Sequence, residues 1–391
     1  MTPPFAKGGV DGRVFEIYGW IMIRKIFANL RHFDFILLGA AFLLSLVGML
    51  VIASVALSQD QPDFGNLWKQ GMALAMGLAA VLVLGSLNYR AGEYYSRYIW
   101  LAGAALLLAV LFFGREIRGT TGWFVLGGWS FQPVEFAKVT LIVFLAATLS
   151  RHAYARDLRS MLRNGIGVLV YVALVAFQPD FGSALILLGL WGLLLLAGGI
   201  ERKTLSVVIA LALLLGSGTW FFGLRDYQRE RILTFMNPAR DPLGRGYNLT
   251  QSVIAVGSGG MFGRGFGSGS QSQLRFLPEA QTDFAFAVVA EELGFVAVII
   301  VLFLMVIVFF RIFRIAREAR DNYTLYLSLG VVLLLSVETV INIGMNLGVM
   351  PVTGIALPFV SYGGSSLFST YILVGLVQSM AVRLAREKFR K

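Results

Sequence analysis

Residues 34–57 read DFILLGAAFLLSLVGMLVIASVAL, one acid followed by twenty-three residues without a charge. About 20 such residues in a helix cross the ~30 Å hydrocarbon core of a bilayer. This stretch therefore reads as a transmembrane helix, and the rest of the chain repeats its pattern. Ten apolar segments are long enough, or nearly so, to cross: roughly 34–57, 70–87, 98–113, 134–149, 164–177, 183–199, 204–224, 283–310, 323–345 and 364–382. The expected fold is an all-α polytopic membrane protein of about ten transmembrane helices. Composition agrees, with 57% hydrophobic and 14% charged residues, where a soluble domain carries about a quarter charged.

The segments before and after the spans set the topology. Residues 1–33 carry recurrent charges, no long apolar stretch and no small-residue cleavage site. They read as a cytoplasmic tail with an interfacial helix at Phe15–Leu30, not as a cleaved signal. With the N-terminus inside, the inner segments hold 22 Lys and Arg and the outer ones 10. Cytoplasmic loops are enriched in these residues. Both termini, including the short tail 383–391, are expected in the cytoplasm. The net charge of +11 is then mostly a topology signal. No basic patch is interleaved with base-stacking aromatics, which argues against a nucleic-acid partner. The absence of cysteine excludes disulfides, iron–sulfur clusters and thiolate chemistry. Two histidines, His32 and His152, are too few for an imidazole metal cage. The expected outer loop 225–282, between the seventh and eighth spans, is far longer than the others, and long loops in compact proteins are commonly functional.

Polar residues inside spans are costly and mark sites or partners. Glu135 and Lys138, entering the fourth span behind Gln132 and Pro133, lie three apart on one helix face. They read as a local salt bridge, as a charged wall of a polar cavity, or as both. Glu338, Asn342 and Asn346 form a stripe on the ninth span, serving either interhelical hydrogen bonds or a water-filled groove. Thr282 and Asp283 sit where the long outer loop enters the eighth span, either capping that helix or facing a lipid-linked head group. Glu291 lies nearer the Asp283 face than Glu292 does. Residues 257–269 hold seven glycines in thirteen positions and suit either a flexible loop or close backbone approach to phosphate. Residues 351–366 are too rich in proline and glycine for a continuous helix and read as a re-entrant segment lining a site.

In order along the chain, these segments resemble the SEDS family (shape, elongation, division and sporulation). The resemblance rests on Gln132-Pro133-x-Glu135-x-x-Lys138, Gln178-Pro179-Asp180-Phe181-Gly182 and Tyr227-Gln228-Arg229. It continues through Asp241-Pro242-Leu243-Gly244-x-Gly246-Tyr247, Gln251-Ser252, Phe276-Leu277-Pro278-Glu279 to Thr282-Asp283-Phe284, and Ser361-Tyr362-Gly363-Gly364-Ser365-Ser366. Gly344-Met345, Pro351-Val352-Thr353-Gly354 and Gln271-Ser272-Gln273-Leu274 look like the elongation branch rather than the division branch. The chain departs from the pattern at Val134, at Gly122 where a basic residue is usual, and at Gln281 where histidine is frequent.

The resemblance implies a peptidoglycan glycosyltransferase that polymerises lipid II at the outer face of the bacterial cytoplasmic membrane. It implies Asp283 as general base. Gln132, Glu135, Lys138, Ser361, Gly363 and Ser365 would line the cavity, with Lys138 close to pyrophosphate. Arg229 and Arg231 would be further phosphate contacts. A divalent cation, magnesium or manganese, is compatible with the leaving group, and no cluster in the sequence demonstrates it. The implied partners are a class B penicillin-binding transpeptidase and other membrane proteins of the elongation complex. Two other readings stay open at this level: a lipid II flippase, and a scaffold for wall-synthesis enzymes.

Overall fold

The computed structural model describes residues 29–58, 61–117, 119–151, 158–199, 206, 233–236 and 245–388. The expected tail helix (Asn29 and Leu30 apart), most of the seventh span, and Arg229 and Arg231 lie outside these residues.

The chain begins its first crossing at α1 (Phe35–Leu57), whose N-cap Asp34 accepts from the Leu37 amide at 3.1 Å. Then follow α2 (Gly65–Ser86), the short α3 (Arg90–Tyr94) and α4 (Ser96–Phe113). A small antiparallel sheet comes next: β1 (Arg115–Ile117), β2 (Thr120–Leu126) and β3 (Trp129–Phe131). The helices resume with α5 (Pro133–Ser150), α6 (Leu158–Phe177) and α7 (Phe181–Ala197). After the outer loop come α8 (Arg245–Ser258), α9 (Ser270–Gln273), α10 (Ala285–Glu318), α11 (Asn322–Asn346) and α12 (Gly364–Lys388). Among the described residues, seven helices are long and apolar enough to cross a membrane, and Met161–Phe177 of α6 and the whole of α7 are shorter apolar helices. These nine coincide with nine of the ten expected segments. The count of ten remains an expectation.

The fold is mostly helical, as expected, and the small sheet is an addition to it. Leu126 pairs with Trp129 across Gly127-Gly128, both at positive φ (55° and 84°). Two adjacent left-handed residues make the tight turn whose twist matches a hairpin, and glycine enters it without steric cost. The hairpin signal was in the sequence, hidden among longer apolar runs.

Helix burial orders the bundle. The apolar window of α5 is 72% buried, whereas that of α4 is 22% buried, which leaves α4 to face lipid. So α5, which carries Glu135 and Lys138, stands at the centre. The start of α1 meets the end of α12: the Asp34 amide donates to Gln378 Oε1 at 2.8 Å, and Gln378 Nε2 returns a bond to the Asp34 carbonyl at 2.9 Å. Arg311, near the end of α10, pairs with Asp34 at 2.6 Å. These contacts place the start of the first span and the end of the last on one face of the bundle.

Helix α10 is broken at Gly294, with φ 76° and ψ −175°. The break exposes backbone groups that a continuous helix would pair, and the glycine-rich loop takes them up. Arg264 and Gly265 amides donate to the Glu291 and Glu292 carbonyls, both at 3.0 Å. The Phe295 and Val296 amides donate to the Gly260 and Met261 carbonyls at 2.9 and 3.1 Å. A β-carbon on Gly263 would lie 2.2 Å from the Glu292 carbonyl oxygen, so only glycine permits the approach. Within the described residues 257–269 the glycines thus dock a loop onto a helix break.

Candidate active site

Four segment ends converge on one cavity of about 300 Å³: the entries to α5, α7 and α12, and the turn before α10. The hairpin contributes Ile117, Thr120, Trp123 and Ser130 to its wall, and the segment 353–356 contributes another side.

On α5, Pro133 occupies the first turn, where its missing N–H costs nothing. Glu135 and Lys138 follow on one face. Lys138 Nζ donates to Glu135 Oε1 at 2.8 Å and to Glu338 Oε1 at 2.5 Å, and all three residues are buried. Both readings of the Glu135–Lys138 pair hold, since the ion pair is itself the cavity wall. Glu338 reaches it from α11, two hundred residues away. A charge in low dielectric needs a partner in contact, and two carboxylates hold this ammonium in place. Lys138 is therefore already engaged. Among the described residues the lining carries four carboxylates (Glu135, Asp180, Asp283, Glu338) against this ammonium.

The α11 stripe divides between two tasks. Glu338 joins the cavity wall, while Asn342 and Asn346 bond to backbone. Both donate their side-chain amides to the Asp283 carbonyl, at 3.1 and 3.0 Å. Asn342 Nδ2 also donates to the Ile355 carbonyl at 2.7 Å, and Asn346 Oδ1 accepts from the Ala287 amide at 3.1 Å. The two preceding carbonyls are held as well. The Tyr362 amide donates to the Gln281 carbonyl at 2.7 Å, and Ser361 Oγ to the Thr282 carbonyl at 2.6 Å. Helix α10 starts behind Phe284 with no side-chain cap, so Asp283 is not a helix cap. Its carboxylate lines the cavity, and a β-carbon at Gly354 would stand 3.6 Å from its Oδ2.

Gln132, Gly363 and Ser365 also line the cavity. Ser365 Oγ accepts from the Gln132 amide at 3.0 Å and so ties the start of α12 to the start of α5. Ser361 lies behind the lining, buried, and holds Thr282 instead of facing the space. Asp180 caps α7 through the Ser183 amide and hydroxyl, at 3.1 and 2.8 Å.

Sequence reasoning passed over Gln70, which is buried on α2. Its Nε2 donates to the Ser361 carbonyl at 3.2 Å, and its Oε1 accepts from the Gly363 amide at 3.1 Å. A glutamine inside an apolar span was the available signal. The unusual Gln281 accepts from Asn66 Nδ2 at 3.1 Å, and a β-carbon at Gly122 would face Gln178 Oε1 at 3.2 Å.

Glu291 and Glu292 are outside the cavity lining. Glu291 accepts from the Gln271 and Ser272 amides at 2.8 and 3.1 Å. Glu292 accepts from the Ser54 and Ser272 hydroxyls at 2.5 and 2.9 Å, the Gly267 amide at 3.1 Å and Gln273 Nε2 at 3.1 Å. Among the described residues no three His, Asp or Glu side chains group as metal ligands, and Glu135 and Glu338 are engaged by Lys138. These residues do not make a divalent-cation site of their own.

Residues 34–386 match the cell cycle protein family FTSW_RODA_SPOVE. A peptidoglycan glycosyltransferase, MrdB of Escherichia coli, is 38% identical over 91% of this chain and 95% of its own length. A probable peptidoglycan glycosyltransferase, FtsW of Thiomicrospira cyclica, is 36% identical over 89% of this chain and 92% of its own. One similar solved structure concerns coordination of polymerization and crosslinking by a peptidoglycan synthase complex. It has a TM-score of 0.77 and 34% identity and covers 92% of this chain and 99% of that one. The rod shape determining protein RodA of Thermus thermophilus has a TM-score of 0.66 and 31% identity, covering 90% of this chain and 97% of that one.

Proposed function

This chain belongs to the FtsW, RodA and SpoVE family of cell cycle proteins, and from that premise we propose that it polymerises lipid II with Asp283 as the general base. It is a multi-pass membrane peptidoglycan glycosyltransferase, the activity that its relatives' names carry. The reaction joins an acceptor sugar hydroxyl to the anomeric carbon of a lipid-linked donor. As the new C–O bond forms, the bond from that carbon to the pyrophosphate oxygen breaks, and the lipid pyrophosphate leaves with the electron pair. The hydroxyl proton passes to a carboxylate within hydrogen-bond reach.

One observation carries the assignment. The cavity-lining acid Asp283 sits on a backbone whose three successive carbonyls, from Gln281 to Asp283, are each held from another segment. Such preorganisation suits a group that must meet a reacting atom without rearranging. The other lining acids have structural tasks: Glu135 and Glu338 hold Lys138, and Asp180 caps α7. Gln132, Gly363 and Ser365 shape the sugar-binding wall. Lys138, held by Glu135 and Glu338 in the cavity wall, is one cation for the pyrophosphate, and Arg229 and Arg231 of the outer loop are this chain's further candidates. A magnesium or manganese ion would bring ligands of its own, the pyrophosphate oxygens among them.

The charge asymmetry argues for both termini in the cytoplasm and the cavity on the outer side. The close meeting of the start of α1 with the end of α12 supports one side for both termini. The elongation-type motifs and the similarity to RodA and MrdB support a role in rod-shape growth beside a class B penicillin-binding transpeptidase.

The test is polymerisation by the purified full chain in detergent, where no two membrane sides exist. Wild type should make glycan polymer from lipid II, and Asp283→Ala should fold but make none. Full polymerisation by that variant would remove Asp283 from the mechanism, and a wild type that makes no polymer would favour lipid transport.

A further inference from the structure

We propose that Asn342 and Asn346 are positioning residues for this reaction, acting through the main chain of Asp283. The proposal rests on Asp283 being the base. Both asparagines are fully buried on α11 and four residues apart, hence on one face. Both side-chain amides meet on one acceptor, the Asp283 carbonyl. Each is fixed in turn. Asn346 Nδ2 donates to the Asn342 carbonyl at 2.8 Å, and its Oδ1 accepts from the Ala287 amide one turn into α10. Asn342 Nδ2 bridges to Ile355 in the segment beside Asp283.

The pair thus joins three things: the acid's own backbone, the first turn of the helix it precedes, and the segment its carboxylate faces. The Ser252 hydroxyl on α8 donates to the Asn346 carbonyl at 3.0 Å, which links the outer loop to the same point. Two amide donors on one carbonyl fix the direction of the peptide, and with it the Cα–Cβ vector of Asp283. Neither asparagine lines the cavity. Their removal should therefore spare substrate affinity and displace the base.

The test replaces each asparagine by leucine, which keeps the branched shape, at a larger volume, while removing the donors. In the purified full chain, Asn346→Leu should lower kcat by about 10- to 100-fold, the cost of a misplaced catalytic group, with KM for lipid II little changed. The same substitution in an Asp283→Asn background should leave the residual rate almost unaltered, because a residue acting through Asp283 has nothing left to position. An equal loss in both backgrounds, or a change in KM alone, overturns the proposal. If Asn346→Leu does not insert, Asn342→Leu gives the same reading with the Ala287 bond intact. Full activity in Asp283→Asn by itself would sink the base assignment, whatever the asparagines do.

Discussion

Two acidic regions lie close together in sequence, Asp283 just before helix α10 and Glu291–Glu292 within it, and they are built in opposite ways. At Glu291 and Glu292 the side chains are fixed: hydroxyl and amide donors from the outer loop and α1 converge on the two carboxylates. At Asp283 it is the main chain that is fixed, while the side chain lines the cavity. A carboxylate surrounded by fixed donors is a structural anchor, since a buried charge must have partners. A carboxylate on a clamped backbone in a cavity wall suits the proposed base. Proximity to the site in sequence therefore says little about which acid does the chemistry.

The largest expected effect is at Asp283. Asp283→Asn should cut the polymerisation rate by about 10²- to 10⁴-fold, the usual contribution of a general base, with an unchanged thermal transition in detergent. A stability loss in place of a rate loss would collapse the contrast between the two regions. Lys138→Met comes next. It strands Glu135 and Glu338 against each other in the core and should cost roughly 3–5 kcal/mol of stability. Adding Glu338→Gln should recover part of that loss, as read by thermal unfolding.

Glu292→Ala should lower stability by about 1–3 kcal/mol through the donors it leaves unsatisfied. The outer loop should open to limited proteolysis, while the rate per folded molecule is kept. If Glu292→Ala instead abolishes turnover in folded protein, the anchor reading fails.

The smallest effect lies at Asp321, the N-cap of α11. Burial would raise the Asp321 pKa, yet hydrogen bonds from Thr324 and the charge of Arg90, 2.9 Å away, hold it below the usual carboxylate range. A depressed carboxylate adds stability above its unfolded pKa of about 3.9 and loses it as the pH falls towards the folded value. Arg90→Ala should shrink that acid-side loss by at most about 1 kcal/mol, because the pair is partly exposed. A melting curve against pH from 7 down to 3 checks it.

Much of this was legible along the chain, for identifiable reasons. Apolar runs report helices because every backbone group in a bilayer must be paired within the segment. The Glu135–Lys138 pair was legible because i, i+3 spacing is local. Asp283 was visible only through the order of motifs around it, since the local pattern equally suited a helix cap. The sheet was missed because its three strands are short and flanked by longer helical runs. Gln70 was missed because one glutamine in a span carries no address.

Length, apolar periodicity and the placement of charge settle a multi-span protein and argue for one side for both termini. These depend on the solvent that each segment must face, and solvent preference is a property of the segment alone. Only the packed fold decides that Glu338 completes the Lys138 ion pair, that two asparagines hold Asp283, and that the glycine run fills a helix break. Each of those joins groups far apart in the chain, or backbone groups without sequence identity. A buried polar group is satisfied by whatever the fold brings into contact, and contact is a property of the bundle.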